Sequence, residues 1–131
     1  MSKIIIASGP VIVEDGKVLL NKHGEDSFWK FCGGRIEDTE SSLQKAAERE
    51  VFEEMGLAVS FLPVEPFFML VQKKVADGEI DVILVHFLAD RCGEVKPGPV
   101  IREWAWLDIK DLEKEHLAPN ILPTLKHFGF I

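Results

Sequence analysis

A glycine pair, Gly33-Gly34, stands between a short apolar run and a helix whose last turns carry three glutamates. That succession of strand, tight glycine turn, loop and acidic helix constrains the fold more than any other stretch of the chain. Residues 42–55 predict the helix, with Ser41 or Ser42 as N-cap and Gly56 ending it. Ala47, Val51 and Met55 recur every four residues and mark its buried stripe. Such a helix needs a sheet to lie on, and the flanking sequence supplies the strands. Val11–Val13 and Lys17–Leu20 flank an Asp15-Gly16 hairpin turn, and Phe28–Phe31 reads as a short strand stopping at the glycines. Residues 59–62, 67–72, 80–89 and 102–107 are β-rich, with a hairpin turn at 76–79 and a proline-containing loop at 95–99. Trp104 and Trp106 share a face of the last run and are assigned to the core. Asp108 and Asn120 read as N-caps of two closing helices, the second ended by Gly129. Roughly four to six strands, a central helix and terminal helices predict an α/β fold of the α+β type, a sandwich around a mixed β-sheet.

The 131 residues make a single domain over 1–131, since two cores would leave about 65 residues each, too few without disulfides or metals. With 47% hydrophobic and 28% charged residues, the chain buries a core and is not disordered. No apolar run reaches membrane-spanning length, and Ile4-Ile5-Ile6 is too short for a signal segment. Cys32 and Cys92 form neither a disulfide framework nor a CxxC pair. A cytoplasmic location with no membrane partner is the expectation.

The net charge of −7 is concentrated. Residues 37–54 hold seven acids (Glu37, Asp38, Glu40, Glu48, Glu50, Glu53 and Glu54) against Lys45 and Arg49, which is five of the seven net charges. A chain so balanced lacks the basic field that neutralises duplex DNA, and DNA is excluded as a partner. Within the helix, Glu50, Glu53 and Glu54 stand at i, i+3 and i+4, on an arc of about 100° away from the Val51 and Met55 stripe. Like charges at this spacing repel by roughly 0.2–0.5 kcal/mol per pair. Lys45 and Arg49 are expected on the flank opposite the core, leaving the three carboxylates uncompensated. Such a stripe is an oxygen site for a hard divalent cation such as Mg²⁺. An acidic solvent-facing helix is the alternative.

Written out, the segment is Gly34-x5-Glu40-x8-Arg49-Glu50-Val51-x-Glu53-Glu54-x-Gly56-Leu57. It resembles the signature of the Nudix hydrolases, and the preceding hairpin, the long later strand and the Glu103–Trp106 run extend the resemblance over nearly the whole chain. The family places seven residues between its glutamate and the arginine, whereas this chain has eight, residues 41–48. A bulge around Ser41-Ser42 is expected to absorb the extra residue, and the structural role that the family gives the residue matching Glu40 is left open.

The resemblance implies a Nudix-like α/β/α sandwich and hydrolysis of a nucleoside diphosphate linked to another moiety, with Mg²⁺ or Mn²⁺. It implies Glu50, Glu53 and Glu54 as metal ligands, joined by the backbone carbonyl at Gly34. Arg49 would position the carboxylates, and Glu50 and Glu53 would take part in catalysis. Glu50 is the first choice of general base, with Glu103, Glu94 and Glu79 as competitors and Glu103 preferred among them. The substrate is a small nucleotide: a nucleoside triphosphate, a nucleotide sugar such as ADP-ribose, or a dinucleoside polyphosphate, with the small size favouring the triphosphate. A nucleotide-sensing module and an RNA-end pyrophosphohydrolase are the rival readings, and a homodimer is left open.

Phe28 and Trp29 are candidates for stacking on the base or ribose, with core packing as the alternative, and Arg35 is a candidate phosphate contact. Cys32, beside the glycine pair, is assigned to packing rather than to metal binding. His23, His86, His116 and His127 show no zinc-ligand spacing.

Overall fold

The computed structural model describes residues 3–37 and 40–131, so Asp38 of the acidic stretch lies outside the described residues. The elements, in chain order, are β1 (Lys3–Glu14), β2 (Lys17–His23), β3 (Gly34–Arg35), α1 (Leu43–Met55), β4 (Ala58–Phe61), β5 (Phe67–Val75), β6 (Gly78–Cys92) and β7 (Ile101–Asp108). A 3-10 helix (Ile109–Lys114) and α2 (Ile121–His127) close the chain.

Asp15 and Gly16 both take positive φ, 52° and 76°, which is the two-residue turn that matches strand twist, and Glu14 pairs with Lys17 across it. β1 runs parallel to β6 from Lys3–Ile80 to Ile12–Ala89, while β4 and β5 both pair antiparallel with β6. β7 pairs with β2, and β3 pairs with β1. The sheet is therefore mixed, with the order β4-β6-β1-β2-β7 and seven strands in all among the described residues, one more than the sequence suggested.

Consecutive residues of β1 and β2 are buried on opposite faces, which makes two cores. Val11, Val18 and Leu20 pack with Trp29, Phe31, Leu112, Ile121 and Leu125 under the 3-10 helix and α2. Ile12 and Leu19 pack with Cys32, Val51, Met55 and Leu57 under α1. Helices on both faces of one sheet give the expected α/β/α sandwich.

Three local expectations change. Phe28–Phe31 is not a strand, because its hydrogen bonds are divided between two neighbours: Lys30 bridges Asn21, and Trp29 bonds His116 and Ala118. Trp106 packs against the α1-side core, but Trp104 lies near the end of the β2–β7 ladder, where the register shifts at Lys22/His23, and is 37% exposed. Asp108 does cap its helix, accepting from Lys110 N at 3.0 Å, whereas the Asn120 side chain caps nothing and turns to His86.

Candidate active site

Three glycines permit the close approaches around the glutamates, two between main chains and one to a side chain. A Cβ on Gly9 would collide with the carbonyl of Cys32, and one on Gly33 would lie 2.7 Å from Ser8 O, so β1 and the glycine loop touch backbone to backbone. A Cβ on Gly34 would lie 2.5 Å from Glu50 Cδ, so the Glu50 carboxylate rests directly on that glycine. Gly33 N–H donates to Glu54 Oε1 at 2.9 Å.

The helix is fixed at both ends. Ser42 is the N-cap, its Oγ accepting from Lys45 N, and Ser8 Oγ donates to Leu43 O at 2.7 Å. Gly56 takes the left-handed conformation, φ 67°, at the other end. The loop at 95–99 then satisfies the last free carbonyls, with Lys96 N to Met55 O at 2.7 Å and Gly98 N to Glu54 O at 2.8 Å. Those bonds hold Pro99 and Val100 against the acidic face. Because α1 is regular from Leu43 onward, the extra residue of the Glu40–Arg49 interval falls in the loop before it.

Arg49 overturns the expectation of uncompensated carboxylates. Its guanidinium meets Glu40 at both oxygens (3.1 and 2.9 Å), Glu50 at 3.0 Å, Glu53 at 3.1 Å and the Arg35 carbonyl at 3.2 Å. Helical projection put Arg49 on the far flank, but a long side chain beside a loop carboxylate swings back along the helix. Glu40 thereby has a structural role after all. The hydrogen bonds from Arg49 and then from Glu37 N hold its carboxyl below the usual range, and Glu40 in turn raises the guanidinium further above its own.

Glu50, Glu53 and Glu54 line one cleft of about 570 Å³ together with His23, Lys30, Gly33, Gly34, Pro99 and Val100. Burial first, and the Glu54 charge second, push the Glu50 carboxyl up, against the pull of Arg49. His23 was not singled out from the sequence, where it is one of four scattered histidines; it reaches the cleft from the end of β2, where the pairing with β7 shifts register. Its Nε2 lies 2.9 Å from Glu54 Oε2, off the line of a hydrogen bond. Among the described residues, the His, Cys, Asp and Glu side chains do not form a ready-made cluster of three around one point. The donors nevertheless fit a hard divalent cation: three carboxylates face one cleft, and the guanidinium already offsets Glu50 and Glu53 as a cation would. Cys32 is buried, and burial followed by the Glu54 charge drives its thiol pKa upward, so it stays a packed thiol accepting from Asn21 Nδ2.

A second pocket of about 530 Å³ shares Lys30, Gly33 and Gly34 with the first. Ile5, Ala7, Val71, Val82 and Leu84 line its apolar sides, and His86 and Asn120 supply polar groups. Phe28, which also packs against the core, and Arg35 both line this pocket. Trp29 does not: it is 6% exposed and belongs to the core, with Lys22 Nζ 4.6 Å from its ring. The competing general bases also lie elsewhere. Glu103 pairs with Lys22 at 3.6 Å and Glu94 with Arg91 at 3.7 Å, while Glu79 stands opposite Lys74 in a hairpin, and none lines the cleft.

Comparison with known proteins agrees with this geometry. The model of the NUDIX domain matches residues 4–128. The chain belongs to the Nudix hydrolase family. It is 28% identical over 130 residues to the CTP pyrophosphohydrolase of Escherichia coli (strain K12), covering 96% of this chain and 92% of that one. The MutT Nudix hydrolase of Burkholderia pseudomallei superposes with a TM-score of 0.76 at 25% identity, covering 95% of this chain and 98% of that one. The MutT protein of Methanosarcina mazei superposes with a TM-score of 0.76 at 27% identity, covering 97% and 94%. No helix among the described residues is long and apolar enough to cross a membrane.

Proposed function

We propose that this Nudix hydrolase cleaves nucleoside triphosphates to a nucleoside monophosphate and pyrophosphate, with Mg²⁺ or Mn²⁺ held by Glu50, Glu53, Glu54 and the Gly34 carbonyl. The observation that carries the proposal is the shared wall of the two pockets. An acidic cleft and an apolar pocket meet at Lys30, Gly33 and Gly34, so a base in one places its phosphates in the other. The pocket volume suits one nucleoside, which favours a triphosphate over a nucleotide sugar or a dinucleoside polyphosphate. The name of the Escherichia coli relative points to the same reaction type.

A divalent cation in the cleft supplies charge neutralisation at the phosphate oxygens and a lowered pKa for bound water. The chain's own residues do the rest. Glu50, largely buried against Gly34, accepts the proton of the attacking water. The water oxygen bonds to phosphorus, the bridging P–O bond breaks, and pyrophosphate departs. Arg49 keeps Glu50 and Glu53 oriented, Lys30 at the junction and Arg35 meet the phosphate chain, and Phe28 packs on the nucleoside. Glu103 is the weaker choice of base, since its carboxylate is engaged by Lys22.

A panel of ribo- and deoxynucleoside triphosphates, ADP-ribose, a dinucleoside tetraphosphate and capped RNA, each with Mg²⁺ and with products weighed by mass, tests this reading. Triphosphates turned over fastest support it. Tight binding without turnover supports the sensing module, and preference for capped RNA supports the RNA-end reading. The cytoplasm is the proposed location. A homodimer is part of the proposal as well: Phe68 and Leu70 are exposed on β5, and light scattering reads the mass.

A further inference from the structure

The polar end of the second pocket is a chain of three residues whose hydrogen-bonding sense is fixed from one end to the other. Gly9 O is a carbonyl and only accepts, so His86 Nδ1, 3.3 Å away, carries the hydrogen. The carbonyl cannot move, because the backbone contact of Gly9 with Cys32 leaves no room at its Cα. The imidazole is 5% exposed and packs on Phe31 with ring centroids 4.8 Å apart, and burial lowers its pKa to about 4. It is therefore neutral near pH 7, and Nε2 is an acceptor. Asn120 lies 2.8 Å from Nε2 and must present its amide nitrogen there. Its backbone is held in turn by Thr124, whose N and Oγ1 both donate to Asn120 O. With Nδ2 committed to His86, Oδ1 takes no part in that bond, and Asn120 lines the pocket beside His86. The charged side chains lining this pocket are the cations Lys30, Arg35 and Lys73, with no carboxylate among them.

We infer that His86 is a positioning residue that locks the Asn120 amide with Oδ1 toward the base, so that the pocket selects a nucleobase bearing an exocyclic amino group over its keto counterpart. This rests on the pocket being the nucleoside site proposed above. Cytosine and adenine offer an N–H to Oδ1. Uracil and hypoxanthine place a carbonyl lone pair against it at the same position, and two desolvated acceptors then face each other unpaired.

The test compares kcat/KM for CTP against UTP and for ATP against ITP, with Mg²⁺. In at least one pair the wild type favours the amino member by on the order of 10–100-fold, the range of one satisfied against one unsatisfied buried group. His86→Leu frees the amide to rotate, and the ratio collapses to about threefold or less, with the change carried by KM. His86→Gln restores most of the ratio, because its Oε1 can again accept from Asn120 Nδ2. Nitrogen-15 NMR of the wild type reads the imidazole without turnover and shows hydrogen on Nδ1. An Nε2–H tautomer, a wild-type ratio near one or in favour of both keto bases, or an unchanged ratio in His86→Leu overturns the inference. Calorimetric binding of CMP against UMP and of AMP against IMP reads the pocket even if no triphosphate is cleaved. Loss of turnover with retained amino preference would thus count against the proposed reaction, and turnover without preference against His86 and Asn120.

Discussion

Arg49 and Glu40 face each other through two hydrogen bonds, Nε to Oε2 at 3.1 Å and Nη2 to Oε1 at 2.9 Å. A guanidinium gripped at both oxygens by a loop carboxylate has only its remaining edge for Glu50 and Glu53, so the loop before α1 dictates where these two carboxylates, the proposed metal ligands, point. Lysine keeps the charge but cannot form the two-point grip. Arg49→Lys should lower kcat/KM by about 10–100-fold, as loss of an orienting partner does, and lower the melting temperature. Steady-state kinetics with thermal denaturation checks both.

Gly34→Ala should separate function from fold. The added methyl needs the space of the Glu50 carboxylate, 2.5 Å from Cδ, but its collision is with the end of a side chain rather than with backbone. Displacing a reacting group by about 1 Å costs on the order of 10²-fold in rate. The expected result is that loss in kcat/KM with a melting temperature close to wild type. A large fall in melting temperature with normal specific activity would contradict the placement of Glu50.

Glu50→Gln should raise the melting temperature of the metal-free protein, because burial and the Glu54 charge already disfavour the Glu50 carboxylate. The same substitution removes the proposed base, and turnover should fall by about 10²–10⁴-fold. Glu103→Gln, measured beside it, should cost far less.

Acid should destabilise the fold through His86. Its folded pKa is about 4 against 6.5 for an unburied imidazole, so below pH 6.5 the unfolded chain takes up a proton that the native one refuses. The stabilisation is complete above pH 6.5 and is lost as pH falls toward 4, amounting to about 3 kcal/mol there. Urea denaturation across this range should show that slope, and His86→Gln should flatten it.

The parts written in local spacing were legible in the sequence. The Asp15-Gly16 hairpin, the 42–55 helix with its caps and the glycine pair each depend on residues near one another in the chain. So does the grouping of the three glutamates toward one cleft, although Glu54 is buried with Val51 and Met55 rather than standing away from them. What was not legible depends on meetings between distant segments. Helical projection places Cα atoms, and it could not show Arg49 reaching back to Glu40 across a loop. His86 and Asn120 are thirty-four residues apart and join only because β6 and the approach to α2 converge under β1. Asn120 had the look of a helix cap, a local role that its amide forgoes for the buried imidazole. Trp29 is an aromatic next to a glycine turn, and only the packing of α2 shows it to be core while its neighbour Phe28 reaches the pocket.

The central claim is that water attacks phosphorus in the interior of a polyphosphate chain held between two joined pockets. The most direct measurement is hydrolysis of CTP with Mg²⁺ in ¹⁸O-labelled water, with the products resolved by mass. The account predicts CMP and pyrophosphate as the first products, with one ¹⁸O atom in one of them and none in the other. Orthophosphate and CDP as the first products would contradict it.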